Sequence, residues 1–269
     1  MAFPRSHART CEEAGTSETA TSGQIDSHHR GARTTVAENR VRKKTLVIDV
    51  GGTHVKLMIS RSKRRKFKSG PKLTPRELVA EVKKETEGWK FDAIAIGFPA
   101  PVRDGRILIE PKHLGKGWIR FNFEKAFKKP VRVVNDAAMQ ALGSYRGGRM
   151  LFLGLGTGLG STLVLPGMVM PLELGDLPYC ETLVIEDFLG KLGLEELGEK
   201  DWQRDTMLAV AQLKKSFIAD YVVLGGGNAK KLKEMPEGAE LGHNRNAYLG
   251  GVRLWQIDPR TRRPKWKFV

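Results

Sequence analysis

The stretch that most constrains the fold is "TLVIDVGGTHVKLMIS", residues 45–60. An apolar run enters two glycines and a threonine, then resumes as a second apolar run. Short runs rich in β-branched residues around a glycine turn read as a buried hairpin. The same pattern returns in "MLFLGLGTGLGSTLVLPG", residues 150–167. Alternating strands and helices follow each hairpin. After the first, "KFK" adds a basic edge strand. A helix then runs over "TPRELVAEVKKETEG", capped by Thr74, opened by Pro75 and followed by Gly88. Next come a strand in "FDAIAIGFPAPV", a short helix in "FNFEKAFKK", a strand in "PVRVVND" and a helix in "AAMQALGSYRG". After the second hairpin, "CETLVIEDFLGKLG" and "KDWQRDTMLAVAQLKKSFIA" read as helices. "DYVVLGGGNAKKL" reads as a strand, a triple-glycine turn and the start of a helix, and "NAYLGGVRLW" as a last helix. The doubling predicts two related α/β lobes, 44–145 and 146–243, with a cleft between them. The last helix, about 244–257, is expected to pack back on the first lobe.

Composition sets the limits of this reading. With 269 residues and 40% hydrophobic content, the chain can build one large core or two smaller ones. Residues 1–43 have almost no apolar periodicity and read as a disordered extension, because they cannot bury enough surface to offset ordering entropy. The net charge is +16, and only +2 of it lies in residues 1–43. Two basic clusters stand out, "RSKRRKFKSGPK" (61–72) and "RTRRPKWKF" (260–268). Residues 258–269 read as a basic tail, since such runs are usually solvated. A surface this basic suits polyphosphate, nucleic acid, an acidic membrane face or anionic substrates. Cys11 and Cys180 form no disulfide framework and no metal-ligand spacing, which suits a reducing cytosol. No apolar run is long enough to span a membrane, and the N-terminus lacks the apolar core of a signal peptide. The expected location is therefore cytoplasmic.

The glycine turns carry the chemistry. Asp49 ends a buried strand, where an unpaired carboxylate is costly. Gly51 and Gly52 let backbone approach a ligand, and successive N–H groups in such a turn form an anion-binding nest. Thr53 adds a hydroxyl and Lys56 a positive charge. Asp49 could hold hydrated Mg²⁺, which prefers carboxylate and water. A hairpin turn without a ligand would look much the same. Gly156, Thr157 and Gly158 repeat this logic, and no Walker lysine follows them. Gly225, Gly226 and Gly227 open a helix, whose N–H groups can meet an anion; tight-turn geometry is the alternative for each. Asn135 and Asp136 stand where a strand becomes a helix. Both residue types cap helices well. Alternatively, Asp136 accepts a proton from a substrate hydroxyl while Asn135 binds the same substrate.

Taken in order, the motifs "DVGGTHVK", "GFPAPV", "GW", "NDAAMQALG", "GLGTGLGSTLV" and "VLGGG" resemble the ROK family of sugar kinases and regulators. The resemblance covers residues 44–257 and comes closest to polyphosphate/ATP glucokinases. It implies the two-lobed ribonuclease H-like α/β fold of actin, hexokinase and Hsp70. It implies Asp136 as general base, with Asn135, Gly97, Pro99 and Glu173 around the sugar. Asp49, Gly51, Gly52, Thr53, Lys56, Gly156, Thr157 and Gly158 would surround the phosphates and Mg²⁺, bound to Asp49 through water. Gly225, Gly226 and Gly227 would border the nucleotide. Two departures stand out. "ELGD" puts Asp176 where the family's sugar motif has histidine, and the family's cysteine-rich zinc loop is absent, so no zinc is expected. His113 stands where the family often has asparagine. The implied activity is phosphoryl transfer from ATP or polyphosphate to a hexose, glucose first. Alternatives are an N-acyl amino sugar kinase and a non-catalytic sugar sensor or nucleic-acid binder. Against the last stands the N-terminal segment, which does not resemble a helix-turn-helix. Family kinases are often homodimers, and no membrane partner is expected.

Overall fold

A computed structural model describes residues 43–180, 182–243 and 245–269. The extension expected over residues 1–43 lies almost wholly outside them. The opening stretch forms β1 (Thr45–Val50) and β2 (His54–Met58), paired antiparallel with Asp49 opposite Lys56. β3 (Arg64–Lys68) follows as the basic edge strand. The helix α1 (Pro75–Glu85) begins at Thr74, whose hydroxyl accepts from the Glu77 N–H while the Glu77 carboxylate accepts from the Thr74 N–H. This reciprocal capping is the reason the helix starts there. β4 (Ala93–Phe98) lies parallel to β1 and is buried throughout. A two-residue hairpin, β5 (Val102–Arg103) and β6 (Arg106–Ile107), precedes α2 (Phe123–Phe127), β7 (Val131–Asn135) and α3 (Asp136–Ser144). The first sheet runs β3-β2-β1-β4-β7.

Alternation along β1 explains its burial on both faces. Leu46, Ile48 and Val50 pack with residues of α1 and α2 on one side. Val47 packs on the other side, with α3 and the final helix. Central parallel strands covered on both faces need such continuous apolar runs.

The second glycine hairpin forms β8 (Met150–Leu155) and β9 (Leu159–Leu165), followed by β10 (Met168–Leu172). The structure then differs from the sequence expectation. Instead of a helix from Cys180, a small hairpin forms from β11 (Pro178–Cys180) and β12 (Leu183–Val184), and α4 (Ile185–Leu189) begins only afterwards. The helix start is fixed by Asp187, which accepts from the Val184 N–H at 3.0 Å. α5 (Lys191–Ser216) is interrupted at Gly198, whose φ of 76° is outside helical range. β13 (Tyr221–Gly225) lies parallel to β8, and β14 (Ala239–Leu241) pairs with β13. The glycines after β13 lead into a 3₁₀ turn, Asn228–Lys231, and not into the expected α-helix. The expected helix-end anion site is therefore absent there.

α6 (Asn246–Arg253) packs on α3 and β1, so both helices lie between the two sheets. The last segment is folded and not a solvated tail. Trp266 is buried edge-on against Tyr145 at 5.5 Å, and β15 (Lys267–Phe268) adds a parallel strand beside β10. Apolar Trp266 and Phe268 override the charge pattern around them. The second sheet runs β14-β13-β8-β9-β10-β15, and its far face packs on α5 through Trp202 and Val210. Among the described residues, no helix is long and apolar enough to cross a membrane.

Candidate active site

Strand register brings the first set of residues together. Asp49 stands opposite Gly97, Gly97 opposite Val134, and Phe98 opposite Asn135. The ends of β1, β4 and β7 thus share one edge, the usual place for ligands in open α/β sheets. Gly97 is required by packing. A Cβ there would run into the Met139 side chain and lie 3.3 Å from the Asp136 Cα.

Asn135 caps α3, its Oδ1 accepting from the Ala138 N–H at 3.1 Å, while its Nδ2 donates to the Ala100 carbonyl at 3.4 Å. The half-buried Pro99 sits just before that carbonyl, in a turn closed by Ala100 N–H to Phe98 O. Asp136 accepts at Oδ1 from the Ala137 N–H at 2.8 Å. Its Oδ2 has no protein hydrogen bond among the described residues. Burial pushes the Asp136 carboxyl up to about 7, and the negative charges of Asp49 and Glu173 add to the shift. These three carboxylates are therefore electrostatic neighbours. Asp49 is buried and paired with Lys56, Nζ to Oδ2 at 3.0 Å.

The first glycine turn is held from two sides. The Gly51 N–H donates to His54 O, and Ser69 ties back to Gly51 O and Thr53 O. Thr53 is exposed. His113 comes within 3.1 Å of a Cβ built on Gly52, so the loop preceding Trp118 covers this turn. That loop is anchored by Trp118, which is buried against Phe98 at 4.8 Å and donates from Nε1 to Gly115 O. Glu110 braces the same loop by accepting from the N–H groups of Gly117, Trp118 and Ile119.

The second turn lies beside the third. Gly154 pairs with Gly225 across β8 and β13. Asn228 Nδ2 donates to Gly156 O, and the Gly156 N–H donates to Gly158 O. Thr157 is exposed, and its carbonyl accepts from the first N–H of α5. Gly226 has φ of 82°, and a Cβ there would overlap the Leu155 carbonyl; Gly227 borders open space. Gly160 packs on Ala137 of α3, which links this turn to Asp136.

Two residues that the sequence reading did not single out complete the arrangement. Lys112, in the loop from the first half, reaches Glu186 Oε1 at 2.9 Å and Asp176 Oδ1 at 3.8 Å. Glu186 lies under the second turn, where its Oε2 accepts from the Leu159 N–H and fills the space a Gly158 side chain would need. Neither belongs to a spaced motif, so sequence offered no signal for them. The hydrogen bond to Glu186 raises the Lys112 ammonium above its usual range against the opposing effect of burial, and the Glu186, Asp176 and Glu173 charges reinforce it. Burial pushes Glu173 up, and Asp176 and Glu186 push it further, while Lys112 opposes them.

A divalent cation fits this donor set in one way. Among the described residues, no group of three or more His, Cys, Asp or Glu forms a metal cage. Mg²⁺ does not need one, because it keeps waters and uses one or two carboxylates with substrate phosphates. Asp49, with Asp136 as its neighbour, supplies that chemistry.

The ROK family model matches residues 45–171. That match spans just under half of the chain. A glucokinase of Pyrobaculum calidifontis is 30% identical over 138 residues, 47% of this chain and 45% of the relative. The chain thus matches under half the length of that relative. The inorganic polyphosphate/ATP-glucomannokinase of Arthrobacter sp. strain KM superposes with a TM-score of 0.64 at 21% identity, covering 77% of this chain and 96% of that one. A ROK glucokinase of Streptomyces griseus, solved with glucose and AMPPNP, gives 0.58 at 17% identity, covering 78% and 98%. These structural likenesses establish the fold, the two-lobed actin/hexokinase type of α/β architecture.

Proposed function

We propose that this chain is a ROK-type sugar kinase that transfers a phosphoryl group from ATP or polyphosphate to a hexose hydroxyl, glucose 6-OH first. The observation that carries the proposal is Asp136. Its carboxyl is pushed up to about 7, and its Oδ2 has no protein partner among the described residues, beside a second carboxylate at the strand ends. A general base works best when its pKa lies near the operating pH. Asp136 takes the hydroxyl proton as the sugar oxygen bonds to phosphorus, and the bond from phosphorus to the donor oxygen breaks. Asn135, Gly97 and Pro99 shape the sugar side, with Glu173 and Asp176 as hydroxyl acceptors. Gly51, Gly52, Thr53, Lys56, Gly156, Thr157 and Gly158 offer N–H groups, hydroxyls and charge to the phosphates. Gly225, Gly226 and Gly227 border the nucleotide. Mg²⁺ held at Asp49 would neutralise phosphate charge when bound. In this reading the lobes 44–145 and 146–243 close over the sugar, excluding water so that phosphate reaches the sugar.

The test is to incubate the protein with Mg²⁺ and glucose, supply ATP to one sample and polyphosphate to another, and measure glucose 6-phosphate. Product that disappears in Asp136→Asn supports the proposal. Near-normal turnover in that variant would remove Asp136 from the role. Faster turnover of an N-acyl amino sugar would move the sugar assignment. No product with any sugar would favour a non-catalytic sensor.

A further inference from the structure

The basic cluster at residues 61–68 forms a surface that the catalytic reading does not use. Pairing register fixes which side chains share a face. Lys66 lies opposite Lys56, and Arg64 opposite Met58, while Lys56 lies opposite Asp49. Alternation along β3 therefore sets Arg64, Lys66 and Lys68 on the face that carries Lys56 and Asp49. Phe67 points the other way, into the first core. The three cations span about 13 Å of strand. At the Lys68 end the row meets the first glycine turn, since Ser69 bonds to Gly51 O and Thr53 O.

At the Arg64 end the row opens into a cavity of about 270 Å³ lined by Arg61, Ser62, Arg64 and Arg245. No carboxylate lines it. Arg61, Arg64 and Arg245 make no ion pair among the described residues, whereas Arg65, on the opposite face, pairs with Glu85. Two distant parts of the chain build this cavity. Tyr248 of α6 holds them together by donating its hydroxyl to the Ile59 carbonyl at 3.1 Å. Charged edge strands also deter aggregation, but that role asks nothing of Arg61 and Arg245, which lie outside the strand.

We propose that the β3 edge and the cavity at its end form a binding track for inorganic polyphosphate, running from the first glycine turn to Arg245. The ligand must be a linear polyanion, because the cations form a row and not a single cup. Single-stranded nucleic acid is less well served, because such sites interleave aromatic platforms with their charges. Here Phe67 faces the core and the Tyr248 hydroxyl is tied to Ile59. The track rests on the kinase reading only in that its inner end meets the phosphate-binding turn.

The test reads binding apart from turnover, using the full chain without sugar or Mg²⁺. Calorimetric titrations compare tripolyphosphate with long-chain polyphosphate. The unaltered protein is expected to bind the long chain at least about tenfold more tightly, because only a long chain engages the turn and the cavity together. The preference should collapse in the triple variant Arg61→Gln/Arg64→Gln/Arg245→Gln and fall in Lys66→Gln/Lys68→Gln. It should persist in Arg61→Lys/Arg64→Lys/Arg245→Lys, which controls for folding. Equal affinity for both lengths would overturn the track, as would an undiminished preference in the glutamine variants. So would displacement by oligothymidylate at equal phosphate concentration. A chain that binds long polyphosphate but phosphorylates no sugar would overturn the kinase reading and leave the track standing. ATP-dependent turnover without any length preference would do the reverse.

Discussion

Asp136 carries two demands that pull against each other. Its carboxyl is held near neutral pH by burial and by the charges of Asp49 and Glu173, so ionising it costs the folded protein. A carboxyl raised from 3.8 to about 7 on folding keeps its proton where the unfolded chain has lost it. Its contribution to stability is then full below about pH 4 and is lost as pH rises through about 7. Asp136→Asn should therefore melt several degrees above the unaltered protein at pH 8, and the gap should shrink towards pH 5. A variant that melts lower at pH 8 would contradict this environment. In the unaltered protein, turnover should rise as pH increases through about 7, because the base must be ionised to accept a proton. A flat profile from pH 6 to 8 would count against that role. At this scale the sequence was informative in part. Asn135 and Asp136 could be placed at a strand-to-helix junction, where capping and catalysis ask for the same residue types. The structure shows Asn135 capping α3 and leaves one oxygen of Asp136 without a protein partner among the described residues. The contribution of Glu173 to the Asp136 shift spans 37 positions of chain and has no local pattern to announce it.

Among the elements, α3 and α6 show what glycine does where two helices meet. A Cβ on Gly143 would overlap the Asn246 carbonyl, and one on Gly250 would overlap the Met139 carbonyl. Arg253 ties the same pair by donating to the carbonyls of Leu142, Gly143 and Tyr145. Backbone offers no flexible group to move aside, so Gly250→Ala should cost about 3 kcal/mol or more. Thermal melts should show a fall of at least several degrees, and an unchanged melting temperature would mean that the helices can separate cheaply. The sequence reading placed a helix at each of these segments from period and cap signals, but the glycines in "ALGS" and "YLGG" gave no hint of their partners. Elements with strong local signals were legible: the glycine hairpins, the Thr74 cap and the strands of the first sheet. Elements specified by tertiary contact were not. β15 exists because Trp266 finds Tyr145 and Lys267–Phe268 find β10, in a stretch whose charges alone suggest solvent. The β11–β12 hairpin was missed because its apolar residues fit a helical period equally well.

Across the whole molecule, Lys112 is a direct ionic tie between the loop over the first glycine turn and the second turn's support, Glu186. The pairs it makes are largely solvent-exposed, with 66% of the Lys112 side chain accessible, so they should add at most about 1 kcal/mol to stability. Their consequence lies in charge balance. Without Lys112, the neighbouring charges of Glu173, Asp176 and Glu186 would lose the cation that acts on them, and a phosphate-bearing donor would meet uncompensated negative charge. Lys112→Ala should therefore leave the melting temperature within a few degrees of the unaltered protein while raising the donor KM about tenfold. Lys112→Arg should restore most of the affinity, because it returns the charge at a similar reach. Raising ionic strength should narrow the difference between Lys112→Ala and the unaltered protein, since screening weakens the same repulsion. An unchanged KM together with a large loss of melting temperature would show that the pair holds the fold and not the substrate. The same balance applies to Asp176. A carboxylate there is tolerable because Lys112 stands 3.8 Å away, so Asp176→His should weaken the tie and bring the Lys112 ammonium closer to its ordinary range, measurable by NMR titration of its Nζ.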